Sequence, residues 1–233
     1  MANAAIEIEN LRFTWPGDGD WALDLPALRL EAGERIFLAG PSGSGKSTLL
    51  NLLGGLLVPK SGDIRVLGRS LPALAAADRD RLRADHVGFL FQMFNLVPYL
   101  SVVENVLLPC RFSARRREAA MRERPPAEEA RRLLAHMQLD TGALLDRPVT
   151  ALSVGQQQRV AAARALIGAP SVIIADEPTS ALDADAQAAF LELLTAEVAA
   201  AGATLLFVSH DRRLEGAFQR SLALDGLNRA GTA

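Results

Sequence analysis

The sequence predicts an α/β fold around a mainly parallel sheet, with a helical subdomain inserted into it. Three observations predict this. Uncharged apolar runs at residues 172–175 and 204–209 read as strands buried on both faces of a parallel sheet. Residues 184–199 between them read as a crossover helix, which gives the strand–helix–strand order of α/β proteins. From 101 to 166, helical periodicity runs on with almost no strand signal.

The other elements follow in order. Residues 6–13 alternate apolar and polar side chains, as a half-buried strand does. Residues 35–39 read as a short buried strand that runs straight into the glycine-rich stretch 40–45. Helical spacing over 46–57 stops near the turn residues Pro59, Ser61 and Gly62. Residues 64–67 and 87–90 are further short strands. Residues 111–132 carry eight arginines and four glutamates, broken by Pro125 and Pro126. The expected organisation is one domain, 1–233, whose α/β core comprises 1–92 and 166–233. Residues 93–165 form the helical subdomain.

Composition narrows the class. With 49% apolar and 22% charged residues over 233 positions, the chain has material for a full core, which excludes disordered and fibrous classes. A net charge of −2 argues against a general nucleic-acid binder. Cys110 is the single cysteine, so no internal disulfide forms, as suits a reducing compartment. Residues 1–9 have no basic stretch followed by an apolar run, so no leader is expected. The best uncharged window, 47–59, is too short to span a bilayer. The expectation is a cytoplasmic protein whose membrane contact is peripheral.

Two motifs carry chemistry. Gly40-Pro41-Ser42-Gly43-Ser44-Gly45-Lys46-Ser47-Thr48 matches the phosphate-loop (Walker A) pattern GxxxxGK[ST], with a strand before it and a helix after it. Its glycines let successive N–H groups turn inward onto phosphate oxygens, and the following helix adds its positive end. Lys46 then reaches the β- and γ-phosphates, and the Ser47 hydroxyl takes a Mg²⁺ position. The second motif is the strand ending Ala175-Asp176-Glu177. Asp176 suits Mg²⁺, and Glu177 is placed to orient or deprotonate an attacking water.

Further motifs bring a family resemblance. Leu152-Ser153-Val154-Gly155-Gln156-Gln157-Gln158-Arg159 resembles the LSGGQ signature of ATP-binding cassette (ABC) ATPases. Gln92 resembles the Q-loop glutamine of that family, residues 176–183 its Walker B end and D-loop, and Ser209-His210-Asp211 its switch-histidine loop. The resemblance runs over nearly the whole chain. It implies the P-loop NTPase fold with an N-terminal antiparallel β region, and ATP hydrolysis with Mg²⁺. It also implies two copies sandwiching two ATP molecules. Ser153, Gly155 and Gln156 would then contact nucleotide held by the opposite copy, and Asp183 would act across the dimer interface. Gln92 would sense Mg²⁺ and the attacking water. His210 would hold the γ-phosphate and help position Glu177. Trp15, or Phe13 close by, would stack on adenine.

The family signature has glycine where Val154 stands. If that backbone needs φ > 0, valine is strained there; Gly155, preceding a helix through 156–167, is then the glycine that matters. Residues 91–106 are similar to the lipoprotein-release and macrolide-efflux (LolD/MacB-like) branch, which implies separate transmembrane permease subunits and a periplasmic or extracytoplasmic partner. An importer subunit, or a cassette ATPase of a non-transport process, is the alternative. The apolar segment 94–100 would line the groove that receives a helix of the permease. His86 and His136 read as surface or core filler, Cys110 as a small buried side chain, and the arginine run 111–124 as a solvated helix face.

Overall fold

The computed structural model describes residues 4–17, 19–139, 142 and 144–230. Residues 1–3 of the expected leaderless start, and 140, 141 and 143 of the expected helical insertion, lie outside them. In chain order the elements are β1 (Ala4–Phe13), β2 (Leu23–Glu31), β3 (Arg35–Ala39), α1 (Lys46–Leu53), β4 (Ser61–Val66), β5 (Arg69–Ser70) and α2 (Ala76–His86). Then come β6 (Val87–Leu90), α3 (Val102–Phe112), α4 (Ala114–Ala120), α5 (Pro126–His136) and α6 (Val154–Leu166). The series closes with β7 (Val172–Asp176), α7 (Ala184–Ala200), β8 (Thr204–Ser209), β9 (Arg220–Ala223) and α8 (Leu224–Leu227).

The chain divides into two compact units, Met1–Arg83 with Thr204–Ala233, and Ala84–Ala203. The first holds an antiparallel sheet in the order β2-β1-β4-β5, with Ile6, Ile8 and Leu11 of β1 buried opposite Leu30, Leu28 and Leu25 of β2. Pro26 falls on β2, at the sheet edge, where a missing N–H costs no ladder bond. The same unit holds three parallel strands, with β3 between β8 and β9. Phe37 and Phe207 stack there at 6.1 Å between ring centroids, and both are fully buried.

In the second unit β6 and β7 pair in parallel, and Val172, Ile173, Ile174 and Ala175 are all buried. A Cβ on Gly88 would stand 2.3 Å from the Ala165 carbonyl, so α6 packs its backbone directly on β6. The helices α3 to α6 fill the stretch expected to be helical, and α5 begins at Pro126, where a proline costs no helical hydrogen bond.

Three readings of the sequence are corrected. The helix expected over 46–57 closes at Leu53, because Gly54 caps it and Gly55 turns left-handed at φ +68°. The helix expected to follow Gly155 already begins at Val154. The arginine run is not a uniformly solvated face, since Arg116 is buried. Its guanidinium donates to the carbonyls of Ile167 (2.8 Å) and Ala165 (2.7 Å). It thereby supplies donors and positive charge to the end of α6, where helix carbonyls lack partners. Burial pulls its pKa down to about 10, which still leaves it charged at neutral pH.

Candidate functional site

In the first unit, the phosphate motif forms the turn between β3 and α1. β3 is buried throughout its last four residues and delivers the chain to Gly40. Gly45 is the N-cap of α1 at φ 94°, and a Cβ there would stand 2.6 Å from Leu23 Cδ2. Only glycine meets both demands. No acidic residue occupies the first turn of α1, so the positive helix end is not neutralised within the helix. Lys46 donates to the carbonyls of Gly40 (2.6 Å) and Pro41 (2.9 Å), which folds its side chain back over the loop. Ser47 is exposed on the first turn, and Thr48 is buried beneath it.

A residue that motif reading missed braces this loop. Asn228, beyond α8, donates to the carbonyls of Ser44 (3.3 Å) and Ala22 (3.2 Å) and accepts from the Asp24 N–H (2.8 Å). Its position in a short polar stretch gives no local signal of that role.

The two candidate aromatics differ in exposure. Phe13 is 5% exposed and has no open face, whereas Trp15 is 41% exposed and meets Phe13 edge-on at 5.2 Å. At the end of β8, His210 is exposed. Its neighbour Asp211 caps the following 3₁₀ turn and takes two bonds from the Arg213 guanidinium, at 2.8 and 2.6 Å. That pairing, with a smaller contribution from the charge of His210, lowers the Asp211 pKa to about 2.

In the second unit, β7 ends on Asp176, and Glu177 follows in the left-handed region at φ 47°. A bulky residue held there costs ~1–3 kcal/mol, a cost found where structure serves a site. Pro178 and Thr179 are buried, and buried Gln187 of α7 donates to the carbonyls of Thr179 (3.1 Å) and Leu182 (3.2 Å). Asp183 caps α7 by accepting from the Ala186 N–H at 2.9 Å.

The signature stretch forms a capping box. The Ser153 hydroxyl accepts from the Gln156 N–H at 3.3 Å, and the Gln156 side chain accepts from the Ser153 N–H at 2.9 Å. The backbone at Val154 does not take φ > 0, the condition under which valine would be strained: it is helical inside α6, and the residue is 50% exposed. A Cβ on Gly155 would meet Leu182 Cδ2 at an ordinary 3.7 Å, so nothing among the described residues demands glycine there.

Gln92 is exposed after β6, and the loop beyond it turns left-handed at Phe94 (φ 57°) and Asn95 (φ 50°). Met93 and Tyr99 are each 81% exposed. Two buried side chains pin this loop. Arg164 donates to the carbonyls of Asn95 (2.7 Å) and Phe94, and Asn105 bonds Val97, Leu100 and Ser101.

Burial raises the pKa of Cys110, consistent with a packed thiol. His86 lies 3.3 Å from the Ser171 hydroxyl, and His136 pairs with Glu197. Among the described residues no cluster of three or more His, Cys, Asp or Glu could hold a metal ion. Among them, too, no helix is long and apolar enough to cross a membrane.

The description "ABC transporter" belongs to the family that matches residues 23–180. The lipoprotein-releasing system ATP-binding protein LolD 2 of Rhodospirillum rubrum is 41% identical over 211 residues, 89% of this chain and 88% of its own length. The macrolide export ATP-binding/permease protein MacB of Burkholderia thailandensis is 41% identical over 230 residues, and this chain spans 33% of its length. The ATP-binding cassette MJ0796, solved as a dimer in a post-hydrolysis state with ADP and Pi, superposes with a TM-score of 0.84 at 34% identity, covering 96% of both chains.

Proposed function

Since the chain belongs to the ABC transporter family and has the ATP-hydrolysing cassette fold, we propose that it powers separate membrane subunits of the efflux or lipoprotein-release type. The observation that carries this reading is the phosphate loop of residues 40–48, seated between buried β3 and the positive end of α1 and braced by Asn228. Relatives named LolD and MacB support the branch.

The roles of the site residues belong to the same proposal. The N–H groups of the phosphate loop and Lys46 bind the ATP phosphates, and Trp15 offers its open face to adenine. Mg²⁺ takes oxygen ligands, and the Ser47 hydroxyl, the Asp176 carboxylate and the Gln92 amide oxygen are donors of that kind. Ser47, Asp176 and Gln92 are the groups that would hold it, and it would neutralise phosphate charge during hydrolysis. Glu177 orients or deprotonates water, and His210 holds the γ-phosphate and helps position Glu177. Ser153, Gly155 and Gln156 serve nucleotide bound by a second copy. The Ser153 cap uses only the acceptor side of its hydroxyl, leaving the O–H to donate. Asp183 lies at the same dimer interface. Residues 93–165 act as the helical subdomain that meets the permease, which places the chain on the inner face of the cell membrane.

The test has two arms. Purified protein should hydrolyse ATP, and Lys46→Ala should remove both binding and turnover. Tyr99→Glu should leave ATP binding and melting temperature intact while abolishing co-purification with the membrane subunits of the host. Normal capture by that variant would place the docking groove elsewhere.

A further inference from the structure

Arg164 stands near the C-terminal end of α6, 8% exposed. Among the described residues no carboxylate pairs with it. Burial alone draws its pKa down, to about 10. Its charge is answered by the carbonyls of Asn95 and Phe94. Those carbonyls belong to consecutive residues in the left-handed region, a conformation that bulky Phe94 rarely adopts. A buried cation without a counter-ion is a poor stabiliser, and an apolar side chain of similar length would pack as well. What an apolar chain cannot do is hold two neighbouring carbonyls. The guanidinium does this from separate nitrogens of one rigid planar fork, whereas an ammonium at the same place would have to serve both carbonyls from a single nitrogen on a flexible stem.

The position gives that link a purpose. The far side of the same loop is held by Asn105 of α3, and Gln92 lies just before it. The helix that carries Arg164 begins at the Ser153 cap. We propose that Arg164 is a positioning residue that fixes the loop following Gln92 to α6, so that this loop and the Ser153 end of the helix move as one body. The kinetic part of this proposal rests on the role given above to Gln92; the structural part does not.

The whole chain serves for the test, as Arg164→Gln and Arg164→Lys. Amide exchange should rise about 10-fold or more over residues 93–97 in Arg164→Gln, with β7 and β8 unchanged. Turnover should fall about 10-fold with the ATP KM within about 2-fold of wild type, the pattern of a displaced group and not of lost binding. Arg164→Lys should recover the melting temperature but not the turnover, because charge returns without the fork. If Arg164→Gln does not fold, Arg164→Lys carries both readouts. Unchanged exchange at 93–97 in a folded variant overturns the clamp. Recovery of turnover by lysine reduces Arg164 to a packing role. Gln92→Ala, run alongside, separates the two readings. If it turns over at the wild-type rate, the Gln92 assignment fails, and the exchange result still decides the clamp.

Discussion

The Asn105 carboxamide and the backbone of Val97 form a reciprocal pair. The Val97 N–H donates to Asn105 Oδ1 at 2.8 Å, and Asn105 Nδ2 donates back to the Val97 carbonyl at 3.1 Å. A side chain with no exposure thus does for an irregular loop what a neighbouring strand does for a sheet. Asn105→Ala strands those groups away from water. It should cost about 2 kcal/mol and lower the melting temperature by roughly 4–8 °C. Thermal and urea unfolding measure this, and an unchanged midpoint would show that water replaces the amide.

Glu177→Gln keeps the shape of the side chain and removes the base. ATP binding should persist while hydrolysis falls ~10²-fold or more. The ATP-bound dimer should then outlast a size-exclusion run with Mg²⁺. Turnover near wild type would remove Glu177 from the chemistry.

Ser153→Arg places a bulky cation at the exposed cap of α6. Nucleotide affinity measured by calorimetry should hardly change, because the phosphate loop that binds it is untouched. Turnover should vanish at every protein concentration. Full activity in a strictly monomeric variant would refute a shared site.

Arg116→Met deprives the carbonyls ending α6 of their donors. A loss of about 3 kcal/mol is expected, or roughly 6–12 °C in melting temperature, because several buried acceptors lose partners together. Lysine at the same position should recover only part of it, since one ammonium cannot serve the same set.

How much of this was legible beforehand varied with range. The phosphate loop and the Asp176–Glu177 strand end are local patterns, and each stands between the elements its spacing implied, whereas the helix expected after Gly155 starts earlier, on the Ser153 cap. The elements that escaped notice lack an apolar rhythm. α2 buries only Leu82, β9 has four residues, and Pro26 interrupts the alternation of β2. Arg116, Arg164, Asn105, Gln187 and Asn228 are single polar residues. Their partners are chosen by tertiary packing, as with Asn228 and Ser44, separated by 184 positions. In the sequence, Arg116 is one of three consecutive arginines, and only burial tells it from its neighbours.

The Asp211 carboxyl should titrate at about pH 2, well below the ordinary aspartate range, because ionised Asp211 holds Arg213. A depressed folded-state pKa contributes stability that is present above about pH 4 and is lost as pH falls toward 2. Its partner Arg213 is 74% exposed and screened by solvent, so the effect on unfolding is small and the titration itself is the better observable. Carbon NMR of the Asp211 carboxyl should show its midpoint rising toward the ordinary value in Arg213→Ala. An unmoved midpoint would sink the pairing.

Asn228 gives deletion experiments an unexpected reading. Cutting the gene after codon 227 would leave every residue of the phosphate motif in place, yet withdraw the amide that spans Ser44, Ala22 and Asp24. The truncated protein would bind nucleotide poorly, and the loss would be mistaken for that of a ligand-contacting element. Asn228→Ala separates the cases, because it removes the brace and leaves every other residue in place.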